Sequence, residues 1–239
     1  NMPATRPRTV DLNCQARTIC PNFKHRFGSR ATTDVSKADK KNAWRVHGKM
    51  HRIVFMTRTP KDKKFVPQGG EAQFIAALRT GQNCKFDGSL SKEERTLRGE
   101  VLSAVLSQTV LEGWGAIELP RFIVLEYAII EGDLVLTEQE YPFALTIKNS
   151  VFLKRPNFYR SLFSFLSLKG SEMPGGVFSN IKIKSDLRLD EISSEGCLHL
   201  DAAIIGGQLS LKNASLKGVV EGMSLNLQGA KIEGALFLT

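Results

Sequence analysis

The second half of the chain repeats one short pattern of apolar and polar positions. The motif Ala-x-Ile-x-Gly-x-Leu-x-Leu occurs three times, beginning at Ala128, Ala203 and Ala230. Degenerate copies with the same spacing begin at Ile181 and Ile192, and each keeps a small residue at the glycine position. Apolar and polar residues alternate within every unit, which predicts short β-strands.

The last apolar residue of each unit recurs with a period of about 11 residues, which is the mark of a structural repeat. These residues are Leu125, Leu136, Ile147, Phe158, Leu168, Phe178, Leu189, Leu200, Leu211, Leu227 and Leu238. Seven of the steps have this length, two are shorter by a single residue, and the step from Leu211 to Leu227 is longer by five. The longer step predicts a protruding turn at residues 219–223. One unit cannot bury its apolar face alone, so the repeat predicts a stacked solenoid.

Two units form one coil of about 22 residues, in which Leu200 points inward and Lys182 outward. The glycine between the Ala-x-Ile and Leu-x-Leu halves suits a corner whose backbone angles other residues avoid. The sequence therefore predicts a mainly β fold. Its main part is a right-handed β-helix of 11-residue half-coils, which we expect over residues 121–239.

The segment before the repeats predicts two short α-helices. The first covers residues 71–79 and ends at Gly81. The second begins at a capping box in residues 91–94 and continues through Leu97 to Gln108. We expect residues 68–120 to form a helical cap over the first coil, whose edge would otherwise be exposed.

The positive charge of the chain lies in its N-terminal segment. Residues 1–67 contain sixteen Lys and Arg and four acidic residues, a net charge of +12. Residues 68–239 contain seventeen Lys and Arg and twenty acidic residues, a net charge of −3. The basic composition with isolated hydrophobic residues predicts a poorly ordered segment. We expect either a solubilising tail or a contact with a polyanion, meaning an anionic membrane or nucleic acid.

Part of the chain resembles a known group of proteins. The sequence Thr-Leu-Arg-Gly-Glu-Val-Leu at residues 96–102, the Ala-x-Ile-x-Gly-Asp-Leu-x-Leu unit at 128–136, and Pro-Phe-x-Leu-x-Ile at 142–147 carry the resemblance, together with the later units. They resemble a group of uncharacterised bacterial pentapeptide-like repeat proteins, some of which carry the label membrane-associated oxidoreductase. The resemblance covers residues 68–239 and implies a right-handed β-helix. It implies no catalytic residue.

The sequence contains no motif for redox chemistry. Neither Gly-x-Gly-x-x-Gly nor Cys-x-x-Cys occurs, so we expect no nucleotide cofactor and no dithiol centre. Cys84 is interpreted as a loop thiol, and Cys197 as a small residue in or near the core. No catalytic, cofactor-binding or metal-binding residue is predicted.

Acidic residues at equivalent repeat positions provide the alternative hypothesis, a polysaccharide-acting β-helix enzyme. Asp190 and Asp201 directly follow Leu189 and Leu200, and a pair of facing carboxylates could perform acid and base catalysis. Positions one half-coil apart lie on opposite faces of the coil, however, and Asp190 stacks beside Lys212. We therefore interpret both carboxylates, like His199, as solvated surface groups.

A zinc site could be drawn from five residues of the basic segment. These are Cys14, Cys20, His25, His47 and His51. The Cys-x5-Cys spacing departs from the two to four intervening residues usual in structural zinc sites, and no second compact cysteine pair is present. The sequence therefore predicts no zinc centre.

The remaining features concern location and function class. Four cysteines are too few for a disulfide scaffold. The sequence does not begin with an apolar leader. Its apolar runs are also far shorter than the roughly 18 residues of a membrane-spanning helix. We expect a cytoplasmic protein, with membrane association as the alternative.

Thr239 follows a complete unit, which suggests a fragment of a longer protein. The function predicted is a non-enzymatic interaction or scaffolding module that binds a protein partner, or itself, through solenoid faces or ends.

Overall fold

The computed structural model describes residues 66–108, 117–218 and 222–238. The chain divides into two units, Asn1–Lys61 and Asp62–Thr239, and all described residues belong to the second. Their secondary structure consists of short parallel strands with two short helices. The predicted fold class, a mainly β solenoid with short N-terminal helices, is confirmed.

The elements follow one another in a regular order. The helices are α1 (Glu71–Thr80) and α2 (Gly99–Leu106), and a 3-10 turn spans Glu93–Arg95. The strands are β1 (Cys84–Lys85), β2 (Thr96–Arg98), β3 (Phe122–Glu126), β4 (Ile129–Glu131), β5 (Glu140–Lys148), β6 (Val151–Phe152), β7 (Leu162–Ser167), β8 (Glu172–Met173), β9 (Gly176–Val177), β10 (Lys182–Ile183), β11 (Leu187–Arg188), β12 (Ser193–Ser194), β13 (Leu198–His199), β14 (Ile204–Ile205), β15 (Leu209–Ser210), β16 (Ser215–Leu216), β17 (Leu225–Asn226), β18 (Lys231–Ile232) and β19 (Leu236–Phe237).

The strands form four stacks, and each of the later coils contributes one strand to each stack. The first stack runs through the beginnings of β5 and β7 to β10, β14 and β18. The second contains β1, β3, the ends of β5 and β7, β11, β15 and β19. The third contains β2, β4, β6, β8, β12 and β16. The fourth contains β9, β13 and β17.

The register of these stacks confirms the 22-residue coil. Ile183 pairs with Ile205, which lies one such period further along the chain. In the fourth stack, Leu198 pairs with Leu225, which lies five positions beyond one period. The five additional residues lie between β16 and β17, where the repeat pattern placed them. Residues 219–221 of the predicted protruding turn lie outside the described residues.

The core consists of inward-pointing side chains stacked from coil to coil. Leu200 is completely buried, at 0% exposure, as the repeat predicts. The rings of Tyr141 and Phe163 stack with their centroids 4.6 Å apart, and those of Phe158 and Phe178 lie 5.1 Å apart. Such stacking adds to the hydrophobic stabilisation of neighbouring coils.

The half-coils turn at residues with left-handed backbone angles, and these residues are mostly not glycine. A positive φ occurs two residues after the last apolar residue of each unit. The residues concerned are Tyr127, Glu138, Asn149, Arg160, Gly170, Asn180, Glu191, Ala202, Asn213 and Gly229. Left-handed angles cost a non-glycine residue roughly 1–2 kcal/mol, so coil stacking must offset this cost at each corner that lacks glycine.

The repeat glycines have a different role from the predicted one. Gly132 has a positive φ of 80°, but Gly196 and Gly234 do not adopt the left-handed region, so for these two the corner interpretation is wrong. A Cβ at Gly196 would lie 2.5 Å from the carbonyl oxygen of Pro174, and one at Gly234 would lie 2.6 Å from that of Gly207. Glycine is needed there because successive coils approach too closely for a side chain.

The first predicted helix is confirmed, but the second begins later than predicted. The capping box forms, since the Ser91 N–H donates to the Glu94 carboxylate at 3.0 Å and the Glu94 N–H donates to Ser91 Oγ at 3.3 Å. It caps only the 3-10 turn. Leu97 then belongs to β2 and pairs with Ile130, and α2 begins at Gly99. Strand pairing with the next coil has overridden the helical spacing of the apolar residues.

A buried ion pair attaches α1 to the first coil. The Glu71 carboxylate is 1% exposed and accepts hydrogen bonds from Arg98 Nε and Nη2, both at 2.7 Å. It also accepts the backbone N–H groups of Gln68 at 2.8 Å and Arg98 at 3.2 Å. A buried carboxylate is tolerated when its oxygens are paired in this way. The pair therefore fixes the helix over the N-terminal end of the solenoid.

Leu200→Asp is expected to unfold the solenoid. The change places a carboxylate in a fully buried column and removes apolar contacts, at a cost of at least about 3 kcal/mol. Lys182→Asp is the control, because that side chain is exposed. Thermal unfolding followed by circular dichroism measures the difference. Equal melting temperatures for Leu200→Asp and the parent protein would contradict the assigned inward column.

Gly196→Ala is expected to destabilise the protein by about 1–3 kcal/mol, because the added methyl group meets the Pro174 carbonyl and the coils must separate. Gly88→Ala is the matched control, since no atom lies within 4 Å of the place that its added methyl group would take. Chemical denaturation of both variants provides the comparison. If the two are equally stable, close coil approach is not the reason for the repeat glycine.

Candidate functional site

The two carboxylates considered for catalysis connect neighbouring coils. Asp190 Oδ1 accepts the backbone N–H of Lys212 at 3.0 Å and a short hydrogen bond from the Ser210 hydroxyl. Asp201 Oδ1 accepts the Ser179 hydroxyl at 2.7 Å. Asp190 follows the second stack and Asp201 the fourth, on opposite sides of the coil, as predicted. Each carboxylate thus has a structural partner one coil away.

His199 and the two described cysteines lie in the strand framework. His199 is half-buried in β13, between the fully buried Leu198 and Leu200. Cys84 lies in β1, paired with Leu125 and buried, so its interpretation as a loop thiol is wrong. Burial raises the pKa of the Cys84 thiol to about 12, which keeps it protonated and unreactive at neutral pH. Cys197 is half-buried, in agreement with the near-core prediction.

A shallow depression lies beside the first coil. It has a volume of about 630 Å³ and is lined by Lys85, Phe86, Asp87, Gly88 and Tyr127. The backbone and side-chain groups of Ser89 hydrogen-bond to Asp87 and lower the pKa of its carboxyl group. A general acid needs the opposite shift. The depression therefore brings together one ionised carboxylate and one lysine, without a second carboxylate in its lining.

The metal and polyanion hypotheses concern residues outside the described part of the chain. All five candidate zinc ligands, Cys14, Cys20, His25, His47 and His51, lie there, and so does nearly all of the basic segment. Within residues 66–108, 117–218 and 222–238, no three His, Cys, Asp or Glu side chains are grouped as metal ligands. Neither described helix has the length and apolar content to cross a bilayer.

The two ends of the solenoid differ in how their apolar residues are covered. At the N-terminal end, α1 contacts β1 and β2, and α2 contacts β2. The apolar side chains of the helices are buried there: Phe74, Ile75, Leu78, Val101, Leu102, Val105 and Leu106. At the other end, each of the four stacks finishes with one of the strands β16–β19. We refer to the outward side of β16–β19 as the open edge.

Exposure rises sharply at the open edge. Ile205 and Leu209 are 0% exposed, whereas the residues that pair with them one coil later, Ile232 and Leu236, are half-buried. Leu238, in the last described position, is 57% exposed. Core positions that are fully covered elsewhere are therefore accessible at this end.

The backbone of the open edge also has unused hydrogen-bonding capacity. The N–H groups of Lys231 and Glu233 donate to the carbonyls of Ala203 and Ile205, at 2.8 and 2.9 Å. In a parallel ladder, alternate residues direct both backbone groups to the same neighbour. The N–H and C=O of Ile232 therefore point away from β14, towards the side of β18 on which no described strand lies. The open edge has both backbone groups and apolar side chains accessible, and it lies at one of the solenoid ends that the sequence suggested as contact surfaces.

Comparison with known proteins adds no further constraint. The chain matches no protein-family model, no curated protein and no solved structure. The open edge is therefore assessed on its geometry alone.

Proposed function

We propose that the solenoid is a non-enzymatic interaction or scaffolding module that binds a partner through its faces or ends, the open edge among them. The observation that carries the proposal is the exposure of Ile232, Leu236 and Leu238 at positions that are buried in the preceding coils. Their partly buried neighbours on β17, Leu225 and Leu227, extend the same surface. An added strand would pair with the free backbone groups and cover these side chains.

The sides of the solenoid are consistent with a scaffold. Five ion pairs join charges that lie about one coil apart in the sequence, which places the partners on adjacent coils. They are Lys148–Glu126, Lys154–Asp133, Arg160–Glu138, Lys169–Glu191 and Lys217–Glu195. Mostly exposed pairs contribute less than about 1 kcal/mol each. These pairs place charge along the sides of the solenoid, where exposed apolar side chains such as Phe122 and Leu153 also lie.

The basic segment adds a second part to this proposal, surface targeting. Residues 1–67 carry a net charge of +12 on a chain whose remaining residues sum to −3. Such a segment attracts phosphate groups through charge neutralisation, on an anionic membrane or on a nucleic acid. It would bring the interaction module to a polyanionic surface without itself recognising the protein partner.

Photo-crosslinking tests the proposed use of the open edge. We expect Glu233→p-benzoylphenylalanine to form a discrete crosslinked product in living cells, because residue 233 lies beside the proposed contact. Lys182→p-benzoylphenylalanine is the control, since Lys182 is also exposed and belongs to the same stack but lies two coils before β18. Gel electrophoresis and mass spectrometry identify the product.

A product formed at position 233 and not at 182 supports an interaction module at this edge, whether the partner is another protein or a second copy. Products of equal yield at both positions, or none at 233, would contradict the proposal. The mass of the product separates the two kinds of partner.

Cosedimentation tests surface targeting. The full chain is expected to sediment with anionic liposomes or bind duplex DNA at low salt and to dissociate at high salt, because the contact is electrostatic. A chain beginning at Asp62, the first residue of the second unit, lacks most of the basic residues and should not bind. Equal binding by both chains would exclude a targeting role for the basic segment.

A further inference from the structure

In the first coil, a helix occupies the place that later coils fill with a strand. Later coils pass from a strand of the third stack to one of the fourth, as from β12 to β13. β2 is the third-stack strand of the first coil, and its last residue, Arg98, pairs with Glu131 of β4. The next residue, Gly99, begins α2. The chain therefore forms α2 at the position of a fourth-stack strand.

The backbone of the second coil shows what a strand at this position would bind. Val135 bridges Asn157 of the next coil in parallel. The Asn157 N–H donates to the Leu134 carbonyl at 2.9 Å, and the Asn157 carbonyl accepts the Leu136 N–H at 2.8 Å. In a parallel ladder, the intervening residues direct their backbone groups to the opposite neighbour. The N–H groups of Asp133 and Val135 therefore point back to the first coil, where α2 lies.

Two side chains of α2 accept these N–H groups. Glu100 Oε1 accepts the N–H of Asp133 at 2.8 Å, and Ser103 Oγ accepts the N–H of Val135 at 2.8 Å. The Ser103 hydroxyl itself donates to the Gly99 carbonyl at 2.7 Å, so its oxygen is free to act as the acceptor. Residues three apart lie on the same face of a helix. One face of α2 thus supplies acceptors to alternate residues of the facing backbone.

Two glycines bring the helix close enough for these contacts. A Cβ at Gly99 would lie 2.6 Å from the carbonyl carbon of Asp133, and one at Gly132 would lie 2.6 Å from a carboxylate oxygen of Glu100. Only glycine allows the backbone to approach so closely. The contact between α2 and the second coil is therefore built into the backbone on both sides.

We propose that α2 is a modified repeat unit that closes the fourth stack on its N-terminal side. The side-chain oxygens of Glu100 and Ser103 take the place of the carbonyls that a preceding strand would supply. The backbone groups of a helix are bonded within the helix, so the ladder ends at α2. An unprotected strand edge would instead be open to pairing with another chain. This closure is independent of the interaction role proposed above.

Amide hydrogen exchange in matched variants, resolved by nuclear magnetic resonance, tests the role of the two acceptors. Ser103→Val removes the hydroxyl, whereas Ser103→Thr keeps it on a side chain of the same shape. The Val135 amide is expected to exchange at least about tenfold faster in the valine variant than in the threonine variant. Glu100→Met and Glu100→Gln form the second pair, with the same result expected for the Asp133 amide.

The Asn157 amide is the internal reference, because its acceptor, the Leu134 carbonyl, belongs to the contact with the next coil. The tested quantity is the ratio of the Val135 rate to the Asn157 rate, so a general loss of stability does not imitate the effect. A ratio that rises in Ser103→Val and stays at the parent value in Ser103→Thr supports the proposal. Equal ratios in the two variants would overturn it, because burial beneath the helix would then protect the edge without the hydroxyl.

Discussion

The structure depends on closing each half-coil after one repeat unit, so that strands of successive coils stay in parallel register. A left-handed residue two positions after the last inward apolar side chain achieves this closure. Asn180, Glu191 and Ala202 show that the position accepts different side chains. The conformational cost is repeated at every corner. This cost is offset only when hydrogen bonds and columns of apolar side chains continue into the next coil. Each coil is therefore stabilised by its neighbours and would not be stable alone.

This mutual dependence distinguishes the two ends of the described solenoid from its middle coils. The N-terminal end is covered by two helices, of which α1 is held by the bidentate pair of Glu71 with Arg98. The C-terminal end of the described structure has the same apolar columns and the same backbone ladder, but no covering element among the described residues. Exposed strand edges invite pairing with another chain.

Much of the fold could be predicted because the repeat identifies the residues whose side chains point into the core. Leu200 lies in a buried column where alternation placed it. The left-handed corners could not be predicted, since residues such as Arg160 and Ala202 carry no sequence signature of positive φ. Leu97 was assigned to a helix because its spacing fits one, and only pairing with Ile130 shows that it is a strand residue. The repeat predicts contact surfaces at the solenoid ends, but the accessible side chains there depend on strand pairing, which the local sequence does not encode.

Amide hydrogen exchange at Ile205 and Ile232, resolved by nuclear magnetic resonance, tests the open edge most directly. The two residues occupy equivalent positions one coil apart, but only Ile205 has a described strand on its outward side. The account predicts that the Ile205 amide is strongly protected at every protein concentration. The Ile232 amide should exchange much faster in dilute protein. Equal protection of both amides in dilute protein would contradict an edge that is open in the single chain.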